Sequence, residues 1–153
     1  MALFKNRIGL SLLLIVFFAY LWEFHFKPVS GPIYTAAVNE YKSRDYENSL
    51  QLLGRAYRFD PNNIGILTLM GWDYLKLGRP KPALEKFSRA HRLAPRAPDT
   101  ILGYATTEIE LERCENAARL LNLLREQKVD SAEVRMAWED LNRCSQRARE
   151  ATK

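Results

Sequence analysis

The feature that most constrains this chain is the recurrence of turn residues at a spacing of 34 positions. Pro61, within Asp60-Pro61-Asn62-Asn63, precedes Pro95, within Leu93-Ala94-Pro95-Arg96, by 34 residues. Between these turns apolar residues recur at spacings of three and four, which predicts amphipathic helices rather than strands. A period of 34 residues is typical of stacked helix-turn-helix units. From residue 30 onward, the sequence therefore predicts an all-α fold.

One copy of the repeat carries the pattern most fully. Small residues stand where two helices would approach closely, large aromatic residues where helix pairs would meet, and a glycine where the chain would turn. These positions are Leu67, Met70, Gly71, Tyr74, Gly78, Ala83, Phe87, Ala90 and Pro95. This segment resembles the tetratricopeptide repeat, whose pattern is W-x2-L-G-x2-Y, then A-x3-F, then A and P. Leu67 and Met70 replace the usual Trp and Leu.

Two weaker copies flank this segment at the same spacing. Arg44 in the earlier copy and Glu112 in the later one stand where the turn glycine is expected. Residues 33–129 are thus expected to form three tetratricopeptide-like repeats, and residues 130–153 a capping helix and tail. Asp130-x-x-Glu133 predicts a capping box at the start of that helix. The resemblance implies a right-handed α-solenoid whose last open face the capping helix covers.

The N-terminal segment differs in composition from the rest of the chain. Residues 8–22 carry no charge, and apolar character continues to Phe26 around Glu23 and His25. A spanning helix needs about 20 apolar residues, whereas about 10–14 is typical of a signal-peptide core. Because no small-x-small cleavage site follows the core, we favour a retained transmembrane anchor over residues 8–26. A cleaved signal and a buried soluble helix are the alternatives.

The charges beside this segment predict its orientation. Lys5 and Arg7 lie in the short N-terminus, residues 1–7, whereas Lys27 after the segment is offset by a nearby carboxylate. The positive-inside rule places the N-terminus in the cytoplasm and the domain on the far side, joined through a linker at residues 27–32. In a bacterium, this describes a single-pass inner-membrane protein with a periplasmic domain.

Two cysteines, Cys114 and Cys144, are 30 residues apart and form no CxxC motif. Cys114 falls at the start of the second helix of the third repeat, and Cys144 lies near the far end of the capping helix. Neighbouring helices of a solenoid should bring the two Cα atoms within the roughly 4.4–6.8 Å that a disulfide requires. We predict a disulfide in an oxidising compartment; the alternative is two unrelated, half-buried thiols.

The sequence offers no arrangement that predicts catalysis. His25 and His91 are isolated, no Ser-His-Asp or Cys-His set can be built, and no glycine-rich phosphate loop is present. A run of carboxylates without histidine is expected to be a solvated helix face rather than a metal site; it comprises Glu108, Glu110, Glu112 and Glu115. We therefore expect no enzymatic activity, no cofactor and no metal.

The charge of the chain does not predict nucleic-acid binding. The net charge is +5, but from Pro28 onward 20 basic residues face 17 acidic ones. The basic residues between Arg79 and Arg96 have three interpretations. They pack beside the acidic helix that carries Glu108, Glu110 and Glu112, they contact anionic lipid headgroups, or they bind nucleic acid, the weakest of the three. We expect no nucleic-acid partner.

The family resemblance implies a binding groove on the concave surface. In tetratricopeptide proteins the first helix of each repeat lines a groove that takes extended or helical peptides. The matching positions are Tyr34, Val38, Tyr41, Thr68, Trp72, Leu75, Lys76, Thr106 and Ile109, with Lys42, Leu102 and Glu110 beside them. Tyr34 and Val38 replace the Lys and Asn that clamp acidic chaperone tails. An apolar peptide or partner helix is therefore the expected ligand, unless these side chains pack against other helices instead.

Together these features predict a membrane-anchored protein-interaction scaffold or assembly factor of the cell envelope. The first alternative is an accessory subunit or tethered chaperone of a secretion, cytochrome-maturation or polysaccharide-export machine. A third interpretation is the non-catalytic targeting half of an enzyme system. In each case the partner is a protein bound in the groove, and the membrane is contacted through residues 8–26.

Overall fold

The computed structural model describes residues 30–151, which form seven α-helices and contain no strand. The helices are α1 (Ser30–Lys42), α2 (Tyr46–Phe59), α3 (Ile64–Lys76), α4 (Pro80–Leu93), α5 (Pro98–Glu110), α6 (Cys114–Glu126) and α7 (Ala132–Glu150). The predicted anchor at residues 8–26 and the N-terminus at residues 1–7 lie outside the described residues. None of the helices described is long and apolar enough to cross a membrane.

The first helix begins earlier than the sequence predicts. It starts at Ser30, so residues 30–32, the last three of the predicted linker at residues 27–32, are helical. Pro32 lies in the first turn of α1. Proline is tolerated there because the first N–H groups of a helix have no intrahelical acceptor.

The helices pair in sequence, α1 with α2, α3 with α4 and α5 with α6, and the pairs stack on one another. Each pair is joined by a short turn whose middle residue has a positive φ: 66° at Arg44, 67° at Gly78 and 58° at Glu112. At each turn the amide of the following residue bonds to the carbonyl five positions back, as Arg79 N does to Tyr74 O at 2.8 Å. This is a Schellman motif. The turn positions predicted from the 34-residue spacing are therefore confirmed, although only one carries glycine.

The side chain of Phe87 connects the second and third helix pairs. It is fully buried in α4, and a Cβ atom built on Gly71 of α3 would lie 2.7 Å from its ring. A Cβ on Gly103 of α5 would lie closer still. Both glycines are therefore required for close approach, since any larger side chain would displace the ring.

The last helix, α7, packs its apolar face against the third repeat. Val134, Leu141 and Cys144 are buried in one cluster with residues of α5 and α6. The helix begins one residue later than the predicted capping box allows. Its N-cap is Ser131, whose Oγ accepts from the amide of Val134 at 3.3 Å. Asp130 instead forms an ion pair with Arg135, one turn into the helix. The prediction that Asp130 and Glu133 form a capping box is therefore wrong.

The two cysteines lie at disulfide distance. Cys114 is the first residue of α6, and Cys144 is buried in the last third of α7. Their Cα atoms are 5.9 Å apart, which is within the range that a disulfide requires. The fold therefore permits the predicted bond.

Candidate functional site

The concave side of the solenoid contains a cavity of about 550 Å³. Its walls come from α1, α3 and α5, the first helix of each repeat, and from the start of α7. Four lining residues belong to the predicted groove: Tyr41, Trp72, Lys76 and Leu102. The others are Leu69, Pro98, Asp99, Val129, Ser131, Glu133 and Val134. This volume lies in the range of about 300–1,000 Å³ typical of ligand sites.

Trp72 occupies the middle of the groove. Its ring packs edge to face on Phe87, with centroids 5.4 Å apart, and its Nε1–H donates to Asp99 Oδ1 at 3.1 Å. A second cavity, of about 300 Å³, is also lined by Trp72. It is lined by three further predicted positions, Leu75, Thr106 and Glu110, and again by Lys76. The groove therefore consists of two cavities whose linings share Trp72 and Lys76.

Five predicted positions do not line either cavity, among them Lys42, which is exposed at the end of α1. Thr68 is buried, and its hydroxyl hydrogen-bonds the hydroxyl of Thr100 at 2.8 Å, because the first turn of α5 covers it. Ile109 is buried in the core that α5 shares with α6 and α7. The groove assignment of Thr68 and Ile109 is wrong. Tyr34 and Val38 are half-buried on α1 and lie outside both cavities.

The predicted groove did not include the wall that the starts of α5 and α7 contribute. Pro98 and Asp99 open α5, while Ser131, Glu133 and Val134 open α7. We expected α7 only to cover the core, yet its first turn also faces the cavity. The sequence signal for this wall is the 34-residue spacing of the starts of α1, α3, α5 and α7. Because these helices stack side by side, their first turns lie next to one another on the concave surface.

The cavity contains ionisable groups of both signs. Desolvation raises the pKa of the Asp99 carboxyl, and the hydrogen bond from Trp72 acts in the opposite direction. Burial also raises the pKa of Tyr41, and the nearby carboxylates, Asp99 among them, add to that effect. The Ser131 hydroxyl lowers the pKa of Glu133. Two carboxylates and the ammonium of Lys76 thus surround an otherwise apolar space.

Within the described residues, the basic residues between Arg79 and Arg96 form no ion pair with the acidic run. Arg79 forms an ion pair with Glu47 of α2 at 2.9 Å, and Arg89 donates to Asn62 at 2.9 Å and to the hydroxyl of Tyr57. These partners lie one repeat earlier, on α2 and in the turn that follows it. α4 does pack against α5, the helix that carries Glu108 and Glu110, as one interpretation predicted, but no ion pair among residues 30–151 joins the two sets of charges.

The acidic run is not a uniformly solvated face. Glu108 is only 3% exposed, with Arg113 at 3.7 Å and Asn116 at 3.5 Å from its carboxylate oxygens. Glu110, Glu112 and Glu115 are exposed. Within residues 30–151, no three His, Cys, Asp or Glu side chains are placed to hold a metal ion.

Comparisons with known proteins agree with this architecture. A family model described as tetratricopeptide repeat matches residues 74–138. No curated protein matches the chain. The Sgt2 TPR domain from Aspergillus fumigatus superposes with a TM-score of 0.74 at 16% identity, covering 83% of this chain and 85% of that one.

Two further structural neighbours were solved as complexes. The first TPR of Spaghetti (RPAP3), bound to the HSP90 peptide SRMEEVD, has a TM-score of 0.70 at 17% identity, covering 78% of this chain and 92% of that one. The TPR2B domain of yeast Sti1, in a pHsp70 complex, has a TM-score of 0.68 at 14% identity, covering 77% of this chain and 97% of that one. Identities this low show the fold alone. The family model thus identifies tetratricopeptide-repeat sequence at residues 74–138, and the structural neighbours show that the described residues share the fold of tetratricopeptide-repeat domains.

Proposed function

We propose that this protein is a membrane-anchored interaction scaffold or assembly factor of the cell envelope, which binds a segment of a partner protein in its concave groove. The observation that carries the proposal is the cavity between Tyr41, Trp72, Leu102 and Val134. Its mainly apolar walls and the central indole provide the kind of surface that anchors a peptide or helix.

The ligand differs from an acidic chaperone tail. Tyr34 and Val38 supply neither the ammonium nor the amide that would clamp a terminal carboxylate. The carboxylates of Asp99 and Glu133 line the cavity and would repel acidic residues. An apolar segment, extended or helical, fits this surface better.

The envelope location rests on the sequence and on the cysteine pair. The uncharged residues 8–22, with Lys5 and Arg7 before them, support a single-pass anchor with the domain in the periplasm. Cys114 and Cys144 at disulfide distance fit an oxidising compartment.

Substitution of Trp72 tests the groove. We expect Trp72→Ala to weaken binding of the co-purified partner by more than about fivefold, or more than about 1 kcal/mol, because the indole is the central contact. Trp138→Ala is the matched control: it removes a half-buried tryptophan of α7 that packs on Arg125, outside both cavities. Pull-down of the full chain in mild detergent, followed by titration of the partner, measures the effect.

Three outcomes would count against the groove. An equal loss in both variants indicates a general effect on folding, and unchanged binding in Trp72→Ala removes the indole from the interface. Loss of helicity in Trp72→Ala alone shows that the indole is part of the core. The pull-down also separates a scaffold, which retains stoichiometric partners, from a chaperone, which retains many unfolded clients.

A further inference from the structure

Two aromatic residues and a carboxylate meet in the larger cavity. Tyr41 of α1, Trp72 of α3 and Asp99 of α5 come from three successive repeats and line the same space. The hydrogen bond from Trp72 Nε1 holds Asp99 Oδ1 at 3.1 Å. It is the one hydrogen bond that the described residues give this carboxylate, so Oδ2 is able to accept from a ligand.

A carboxylate beside aromatic rings favours a cation. The faces of tryptophan and tyrosine attract ammonium and guanidinium groups, and a charge-assisted hydrogen bond to a carboxylate is about twice as strong as a neutral one. Glu133 lines the same cavity and adds a second negative charge. Lys76 also lines it, but no ion pair joins Lys76 to Asp99 in the part of the chain that the structure describes.

The position of Asp99 in α5 explains only part of this arrangement. An acidic residue in the first turn of a helix is stabilised by the helix dipole, and Asp99 is the second residue of α5. The helix dipole stabilises Asp99 without any contact from another repeat, so it does not explain the hydrogen bond from Trp72. The bond from Trp72 ties the carboxylate to the central indole of the groove, where a bound segment must pass it.

We propose that the groove selects a partner segment in which a lysine or arginine stands among apolar residues, with its cationic side chain bound by Asp99 beside Tyr41 and Trp72. The apolar neighbours of that residue contact Leu69, Leu102 and Val134. This inference rests on the proposed function and specifies the chemistry of the partner.

Display selection tests this specificity. Full-length protein in mild detergent is used to select binders from a library of random 12-residue peptides. We expect selected peptides to share one lysine or arginine flanked by apolar residues. The best of them should bind Asp99→Asn at least tenfold more weakly than wild type, since asparagine keeps an acceptor for Trp72 but loses the charge.

Matched variants isolate the charge of Asp99. Glu139→Gln removes one carboxylate from an exposed position of α7 outside both cavities and should leave binding unchanged. Asp99→Glu should retain most of the affinity. A peptide in which norleucine replaces the basic residue should bind wild type and Asp99→Asn equally well. That result would show that the loss of affinity comes from the pair between Asp99 and the basic residue of the peptide.

The outcomes distinguish this inference from the proposed function. Selected peptides that lack a basic residue, or equal affinity for wild type and Asp99→Asn, overturn the cation site and leave the groove intact. If no selected peptide depends on Trp72, the groove itself is not the binding surface, and the proposed function fails as well.

Discussion

At the scale of single residues, the buried pair of Ser49 and Asp73 is the most unusual feature. Ser49 of α2 donates its hydroxyl hydrogen to Asp73 Oδ2 of α3 at 2.7 Å, and both residues are fully buried. Among the described residues, none donates a hydrogen bond to Asp73 Oδ1. Burial raises the pKa of Asp73 to about 7, although the bond from Ser49 acts in the opposite direction. The folded protein therefore holds this proton more tightly than the unfolded chain does.

This proton makes stability depend on pH. Because the folded pKa of Asp73 lies above its usual value of 3.8, its stabilising contribution is complete below about pH 4 and is lost as the pH rises through about 7. Asp73→Asn keeps an acceptor for Ser49 but does not titrate. We expect its free energy of unfolding, relative to wild type, to rise between pH 5 and pH 8 by up to about 3 kcal/mol, since about two pH units of this range lie below the folded pKa of about 7.

Urea unfolding of the full chain in detergent at these two pH values measures that difference. Asp140→Asn removes an exposed carboxylate that pairs with Arg143 and serves as the control. A difference between Asp73→Asn and wild type that does not change with pH would show that Asp73 is already ionised in the folded state at pH 5.

At the scale of elements, α7 has two roles. Val134 and Leu141 cover the apolar end of the third repeat, and Ser131 and Glu133 in its first turn form one wall of the groove. The cysteine pair joins its far end to the start of α6. The position of α7 therefore affects both the core and the binding surface.

Oxidation of the cysteine pair is expected to stabilise this helix. A disulfide closing a loop of 30 residues contributes roughly 3 kcal/mol by restricting the unfolded chain. Protein isolated from its native membrane and denatured without reductant should therefore show no free thiol. Cys114→Ser with Cys144→Ser should unfold at lower urea, as should the reduced wild-type protein.

Thiol titration decides this prediction directly. Two titratable thiols in the unreduced, denatured protein would refute the disulfide and weaken the periplasmic orientation. If the double variant and the reduced wild type differ in stability, the serine side chains themselves contribute to the change.

At the scale of the whole molecule, one edge of the solenoid combines the start of α1 with the ends of α2 and α4. Each helix pair is a short antiparallel hairpin of nearly equal helices. The exposed side chains of Phe59 and Leu93 lie at this edge, each preceded by an arginine. Only residues 27–29 separate the proposed anchor from α1, a reach of at most about 14 Å. From the proposed anchor we predict that this edge faces the lipid headgroups of the membrane.

The anchor has its own test. Full-length protein should remain in the membrane pellet after an alkaline carbonate wash, and its domain should be accessible to protease added outside spheroplasts. Leu13→Lys combined with Val16→Lys should move the protein to the soluble fraction, because two charges interrupt the apolar segment. Lys81→Glu, on the exposed surface of α4, is the control. A mature form beginning near residue 23 would show a cleaved signal instead.

The sequence alone determined the local features of this fold. Helix ends are set by nearby residues, so the 34-residue spacing located the turns at Arg44, Gly78 and Glu112 even where glycine is absent. The spacing of Gly71 and Phe87 likewise indicated where the helix pairs meet. Such signals depend on a few consecutive residues, and for that reason they are visible without the structure.

Only the tertiary structure decided which side chains face the groove. Periodicity gives the face of a helix, but Thr68 and Ile109 are covered by helices that follow tens of residues later. Asp99 was missed for the same reason, since its bond to Trp72 joins two different repeats. Burial and hydrogen bonding depend on the relative rotation and spacing of stacked helices, which the complementarity of many side chains sets together.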